Sequence, residues 1–181
     1  MTKSILRRRR AVPAATILIA GLALATPACK RRSAGGPTGE EGLAAIVHVA
    51  DPRTASQLVG GFYAVEANAW RWTAGKFSVV LRLPRNASSK GAILQLKLTI
   101  PDAVLAHEKA VTLSGSVNGV PLKPETYTHP GQYTYLRDIA AAQLEGDSAG
   151  VDFSVDKTIP PSAADKRELG LIVAEVGFLS K

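Results

Sequence analysis

The chain has 181 residues and a formal net charge of +7, and that charge is distributed unevenly. Eight of the 22 basic residues lie in the first 32 positions, whereas all 15 acidic residues lie beyond position 33, so the rest of the chain has a net charge of −1. A nearly neutral domain has no basic surface of the kind that nucleic-acid binding needs, which excludes nucleic acid as a partner. The single cysteine, Cys29, excludes an internal disulfide.

Residues 1–29 show the pattern of a bacterial export signal that ends at a lipid-modified cysteine. Residues 1–10 carry five cationic side chains and no acid, residues 14–25 are apolar or small, and small residues precede Cys29. A helix of twelve residues is about 18 Å long, well short of the roughly 30 Å hydrocarbon core of a membrane. We therefore expect an exported chain that a lipid on Cys29 holds on a membrane of the bacterial cell envelope, facing the periplasm or the cell surface.

Two other processing schemes remain open, because Thr26 stands where lipoprotein signals usually have leucine. Signal peptidase would cut after Ala25 or Ala28 and leave no lipid, and an uncleaved signal would itself anchor the chain in the membrane. Residues 30–42 begin with three cations and are then rich in glycine and small polar side chains, which predicts a flexible linker. Residues 43–181 are long enough for one domain with its own core.

From residue 43 onward, apolar side chains recur with a period of two in short runs separated by turn residues, as in half-buried β-strands. Residues 77–83, 93–100 and 151–155 alternate in this way, and residues 169–179 form a longer apolar run typical of a central strand. The inward positions of the first two runs are Phe77, Val79, Leu81 and Leu83, and Leu94, Leu96, Leu98 and Ile100.

The run at residues 111–117 ends at Asn118-Gly119, a dipeptide that tolerates positive φ at both positions and so predicts a tight hairpin. Together the runs predict an all-β fold, a jelly-roll-like β-sandwich of about eight or nine strands. Helical signals are few. Residues 138–144 are predicted to form two helical turns with Asp138 as the N-cap.

Two segments carry more information than the general strand pattern. Residues 61–73 join a glycine and two aromatics to a glutamate and a Trp-Arg-Trp sequence, and residues 160–170 have two prolines followed by Asp-Lys-Arg-Glu-Leu-Gly. With the Asn-Gly hairpin between them, these segments resemble the jelly-roll β-sandwich modules of bacterial envelope and polysaccharide-related proteins, some of which are appended to glycosyltransferases. The resemblance covers roughly residues 55–180. It implies the fold more than an activity, because most such modules have no assigned activity.

The aromatic and charged side chains of these segments form the candidate ligand site: Tyr63, Glu66, Trp70, Arg71, Trp72, Asp165 and Arg167. Side chains two positions apart on a strand share a face, so Trp70 and Trp72 lie together and Arg71 faces the other way. In a functional interpretation, the aromatic rings form a platform for a sugar ring, and Glu66, Arg71 and Asp165 bind its hydroxyls. In a structural interpretation, the tryptophans are core, and an acid–arginine pair fastens the last strand to the first sheet.

Sequence motifs for metal binding, cofactor binding or catalysis are absent. The histidines, which are His48, His107 and His129, have no metal-ligand spacing, and the chain has no phosphate-binding or dinucleotide fingerprint. A glycan hydrolase needs two carboxylates that flank a cleft, for which Glu66 and Asp165 are the pair considered. We expect a non-enzymatic envelope lipoprotein without cofactor or metal that binds carbohydrate. The first alternative is a scaffold that binds another envelope protein, and the second is a glycan hydrolase.

Overall fold

The structure is a computed structural model that describes residues 42–106 and 109–181. The predicted export signal with its lipid site Cys29 therefore lies outside the described residues, as do residues 30–41 of the predicted linker. In the described part of the chain, no helix is long and apolar enough to cross a membrane. Ten strands make up most of this part, and short helical turns connect some of them.

The elements follow the period-two pattern of the sequence closely. The strands are β1 (Ile46–His48), β2 (Leu58–Glu66), β3 (Trp70–Arg82), β4 (Ala92–Ile100), β5 (Val111–Val117), β6 (Val120–Pro121), β7 (Glu125–Tyr127), β8 (Gly131–Ile139), β9 (Ser148–Val155) and β10 (Ile172–Ser180). The α-helices are α1 (Ala87–Lys90) and α2 (Asp102–Leu105), and two 3-10 helices span Pro52–Gln57 and Ala141–Gln143. The predicted all-β class is confirmed.

The strands pair antiparallel throughout and form one curled sheet with two layers. One layer has the order β2-β3-β9-β5, with β6 and β7 paired to β5, and the other has the order β8-β4-β10-β1. The start of β10 joins the layers by pairing Ile172 with Trp72 of β3. Tyr135 of β8 contacts Phe153 of β9 at a ring-centroid distance of 6.2 Å although their strands do not pair, so the layers pack as a sandwich.

The core lies between the layers and uses the inward positions that the alternation predicts. These positions are buried on both layers: Phe77, Val79, Leu81 and Leu83 of the β3 segment, and Leu94, Leu96, Leu98 and Ile100 of β4. Each fully buried large apolar side chain contributes about 1.5–3 kcal/mol relative to an exposed one. The predicted hairpin is also confirmed, because Asn118 and Gly119 have φ values of 49° and 79° between β5 and β6.

One predicted boundary and one predicted element differ from the structure. The last strand starts at Ile172 instead of residue 169, because Leu169 bridges to Ile159 and the Gly170 N–H donates to the Thr73 carbonyl. The predicted helix at residues 138–144 is wrong. Asp138 belongs to β8, where it pairs with Ile93, and only a single 3-10 turn follows. The nine-residue ladder between β4 and β8 outweighs the weak local helical preference.

Candidate functional site

The two tryptophans lie side by side at the start of β3. Ala67 and Asn68 adopt positive φ values of 50° and 53°, which turns the chain tightly from β2 into β3. The rings of Trp70 and Trp72 meet edge to face, with centroids 6.2 Å apart and planes at 82°, a favourable aromatic geometry. Both side chains are partly exposed and neither belongs to the hydrophobic core. The interpretation that places them in the core is therefore wrong.

A charged cluster around Arg167 lies next to this aromatic pair. The Arg167 guanidinium donates to both carboxylate oxygens of Asp165 over 2.7–3.1 Å and to Glu66 Oε1 over 2.9 Å. Glu66 is directly opposite Trp70 in the β2–β3 hairpin, and opposed residues of an antiparallel pair share a face. The cluster thus connects the tryptophan face, which is the face of the β2–β3 hairpin that carries Trp70 and Trp72, to the segment before β10. This is the contact that the structural interpretation predicts for Arg167.

Tyr63 completes the Arg167 cluster, which we define as Tyr63, Glu66, Asp165 and Arg167. Its hydroxyl donates to the Glu168 carbonyl over 2.8 Å, and the Arg167 guanidinium carbon lies 5.3 Å from its ring centroid. At that distance a cation–π attraction adds to the ion pairs. Tyr63 is therefore held by both of its ends, with its ring beside the charged groups.

Arg71 is not part of this face. Its Nε donates to the Val49 carbonyl over 2.7 Å, and its Nη1 donates to the Tyr63 carbonyl over 2.8 Å. The side chain thus ties β2 and the segment after β1 to β3 from the side opposite the tryptophans, as the alternation predicts. Of the three hydroxyl-binding side chains expected, Arg71 is therefore occupied by backbone carbonyls.

Glu66 is the acid of the cluster that keeps one carboxylate oxygen unbonded within the described residues. Both carboxylate oxygens of Asp165 accept hydrogen bonds from Arg167, whose backbone N–H adds a further bond over 2.9 Å. Glu66 is bound only through Oε1, and within the described residues its Oε2 has no hydrogen bond. A carboxylate oxygen accepts up to two hydrogen bonds. Glu66 Oε2 can therefore accept a hydroxyl while Arg167 holds the other oxygen in place.

The ion pairs shift the protonation equilibria in the Arg167 cluster. The hydrogen bonds from Arg167 lower the pKa of Asp165 from 3.8 to about 2. The same bonds, with those to Glu66, raise the pKa of Arg167. Both groups therefore stay charged over the range in which bacteria live, and the cluster persists as an ionic network.

Asp165→Asn should lower the melting temperature at neutral pH, and the loss should vanish in acid. A lowered folded-state pKa stabilises the fold fully above the ordinary value of 3.8 and loses that contribution as the pH falls towards 2. We therefore expect the difference in melting temperature between the native chain and the variant to shrink between pH 4 and pH 2. Thermal unfolding at several pH values measures it. Glu145→Gln, which removes an exposed carboxylate outside the cluster, is the matched control, and an equal acid response in that variant would contradict the assignment.

A second charged cluster, which sequence reasoning missed, lies on the outward face of the other layer. The side chain of Glu175 is only 10% exposed, and its carboxylate lies 3.0 Å from His48 Nδ1, 2.9 Å from Lys97 Nζ and 2.8 Å from Gln95 Nε2. These contacts join β1, β10 and β4. The alternation of each strand predicts which of its side chains point outward. It does not predict which strands are neighbours, so the sequence alone could not bring these side chains together.

No metal site is evident in the part of the chain that the structure describes. It has no group of three or more His, Cys, Asp or Glu side chains placed to hold an ion. The tryptophan face and the Arg167 cluster provide apolar contact, charge and hydrogen bonds.

Comparison with known proteins identifies no family for the chain. No protein-family model matches it, and no curated protein matches it. Among solved structures, an exo-β-1,3-galactanase from Phanerochaete chrysosporium, determined with β-1,3-galactotriose, is similar with a TM-score of 0.42 and 8% identity, over 76% of this chain and 29% of that one. The chain thus spans less than a third of that enzyme.

Two further structures contain carbohydrate-binding modules. A family 35 carbohydrate-binding module from an environmental isolate has a TM-score of 0.37 and 16% identity, over 68% of this chain and 77% of that one. A carbohydrate-binding module with INT domains of ZmpB from Clostridium perfringens, determined with GlcNAc, has a TM-score of 0.36 and 12% identity, over 76% of this chain and 28% of that one. At TM-scores below 0.5, these likenesses assign neither a family nor a ligand to this chain.

Proposed function

We propose that the chain is an exported lipoprotein of the bacterial cell envelope whose β-sandwich domain binds carbohydrate and catalyses no reaction. The tryptophan pair carries the proposal. Two indole rings lie outside the core, partly exposed and in a fixed edge-to-face geometry at the start of β3. Such rings offer apolar area to the C–H face of a sugar and indole N–H donors to its hydroxyls.

The polar half of the proposed site is Glu66. Its register opposite Trp70 places a carboxylate on the tryptophan face, and Arg167 fixes one oxygen of that carboxylate at 2.9 Å. A side chain already held in place loses little rotamer freedom when a ligand binds, which favours affinity. In this proposal Arg167 and Asp165 are positioning residues, and Glu66 Oε2 accepts a sugar hydroxyl.

The electrostatics of the cluster support a binding role over hydrolysis. A glycosidase needs one carboxylic acid with a raised pKa that protonates the leaving oxygen. Arg167 instead lowers the pKa of Asp165 to about 2 and occupies both of its oxygens. Asp165 therefore has no proton to give at neutral pH and cannot be the general acid of the carboxylate pair that the sequence suggested.

Binding of another envelope protein is the second candidate, and two exposed apolar side chains with a free strand edge on the other layer favour it. Ile46 and Leu136 are 39% and 49% exposed, and they occupy one row of paired positions with Gly177 and Gln95 between them. β8 pairs with β4 on one edge, and its other edge has no partner strand in the described residues. A partner strand could add to such an edge.

The test uses the full chain purified from bacterial membranes in neutral detergent. Its intact mass should correspond to a polypeptide that starts at Cys29 with a covalent lipid. The same preparation should bind a subset of a glycan array, and Trp70→Ala or Trp72→Ala should weaken that binding at least tenfold, about 1.4 kcal/mol. The melting temperature should change little, since both rings lie outside the core.

Leu136→Ala is the matched control, because it also removes an exposed apolar side chain, on the other layer. It should leave glycan binding unchanged. A glycan array without signal, together with capture of a protein partner that Leu136→Ala abolishes, would replace carbohydrate binding by the second candidate. An unlipidated chain that starts at Thr26 or Cys29 would reject the lipid anchor independently of the ligand.

A further inference from the structure

A cleft of about 640 Å³ lies at the C-terminal end of β3, whereas the tryptophan pair lies at its N-terminal end. Its apolar lining includes Leu83 and Ala87, which are buried. Its polar lining consists of Arg82, Arg85, Asn86, Ser88, Asp147 and Ser148. The volume is in the range of ordinary small-ligand sites, which extends from about 300 to 1,000 Å³.

The two arginines of this cleft differ from the other arginines of the described residues. Arg53 and Arg167 bind carboxylates, Arg137 binds a carboxylate and carbonyls, and Arg71 binds carbonyls. The side chains of Arg82 and Arg85 have neither an ion pair nor a hydrogen bond within the described part of the chain. Four of these six guanidinium groups are thus neutralised or satisfied internally, and the two that are not line the same cavity.

We propose that this cleft binds an oxyanion, a carboxylate or phosphate group carried by a small polar molecule. A guanidinium presents a planar fork of donors that matches either group, and two forks in one cavity can share its charge. The amide of Asn86 and the hydroxyls of Ser88 and Ser148 add neutral donors and acceptors for the rest of the ligand. Leu83 and Ala87, which are both buried, form part of the apolar lining.

Asp147 sets the selectivity of the cleft. Asp147 also lines the cavity, and a like charge opposes binding of an anion. Within the described residues its side chain is not paired with Arg82 or Arg85, so it does not satisfy them. Asp147 therefore weakens binding of a bare anion. For a ligand that carries a hydroxyl as well as an oxyanion, it provides an acceptor for the hydroxyl.

The site is independent of the proposed glycan face. The thirteen residues of β3 run from Trp70 to Arg82, and at roughly 3.3 Å per residue this places the two ends about 40 Å apart along the strand. A variant of one site should therefore leave the other unchanged. Loss of glycan binding in Trp70→Ala with unchanged anion binding is the expected combination.

Calorimetric titration of the full chain in neutral detergent tests the cleft with three probes. Inorganic phosphate reports the oxyanion alone, glycerol 1-phosphate reports a lipid headgroup as the source, and glucuronate reports an acidic sugar. We expect saturable binding of at least one probe and at least tenfold weaker binding in the Arg82→Gln/Arg85→Gln double variant. Asp147→Asn should bind inorganic phosphate more tightly than the native chain does.

Lys109→Gln/Lys166→Gln is the matched control, because it removes the same two positive charges from exposed positions outside the cleft. It should bind each probe as the native chain does. The proposal is overturned if no probe binds saturably, or if the arginine and lysine double variants bind equally. Thermal unfolding of each variant separates loss of the site from loss of the fold, since both arginines are exposed and should tolerate substitution.

Discussion

Gly61→Ala should destabilise the domain by about 3–5 kcal/mol, a larger effect than any other substitution considered. Gly61 has a φ of +75°, and a Cβ there would lie 2.6 Å from the Phe77 Cα and against the Lys76 carbonyl. A side chain at this point pushes β2 away from β3. The alanine would also have to adopt a left-handed backbone conformation, which costs free energy for any residue with a Cβ. Denaturant unfolding followed by tryptophan fluorescence measures the loss, because the same hairpin carries Trp70 and Trp72.

Gly60→Ala is the control, because a Cβ at the neighbouring glycine would meet no other atom within 4 Å and its φ is not positive. It should change the free energy of unfolding by less than about 0.5 kcal/mol. If both variants lost the same free energy of unfolding, the close approach of β2 to β3 at Gly61 would not be the cause of the loss. The cause would then be a general effect of alanine in this strand.

The strands could be predicted because the alternation that marks each strand lies within its own residues. Leu94, Leu96 and Leu98 alternate with polar neighbours, and one face of β4 is buried as a result. The Asn118-Gly119 turn could be predicted for the same reason, since its φ values depend on those two residues alone. Local patterns of this kind specify which face of each element is buried, and they led to the correct fold class.

The site could be predicted only in part, because it depends on contacts between distant segments. The shared face of Trp70 and Trp72 follows from their spacing. The contact of Arg167 with Glu66 spans 101 positions, and nothing in the sequence distinguishes it from a contact with a ligand. The misassigned helix at Asp138 has the same origin, since its pairing with Ile93 of β4 is a long-range interaction.

Arg137 is a charged side chain at an inward position of β8, which the sequence analysis did not identify. Tyr133, Tyr135, Arg137 and Ile139 occupy successive positions on one face of β8, and that face is the inward one. An arginine at an inward position needs polar partners or it costs several kcal/mol. The inward position therefore indicates that Arg137 has polar partners, although it cannot indicate which groups they are.

Arg137→Ala should lower the free energy of unfolding by about 3 kcal/mol, the second-largest effect expected. Its guanidinium donates to the carbonyls of Lys123 over 2.7 Å and Pro124 over 3.2 Å, pairs with Glu125 over 2.9 Å, and lies 3.9 Å from the Tyr135 ring centroid. These contacts fasten the segment between β6 and β7 onto β8, across the open side of the sandwich. Denaturant unfolding of the variant measures the loss.

Two further variants separate the contributions. Glu125→Gln removes the ion pair but leaves the carbonyl contacts, and we expect a loss of at most about 1 kcal/mol, because Glu125 is 37% exposed and solvent screens the pair. Arg137→Lys keeps the charge but lacks the planar fork, so it should recover less than half of the loss. Full recovery by lysine would show that charge alone holds the segment. We expect the loss of stability to be largest for Arg137→Ala and only partly recovered by lysine. This order indicates that the planar guanidinium is needed at this position, because it contacts two carbonyls and a carboxylate at once.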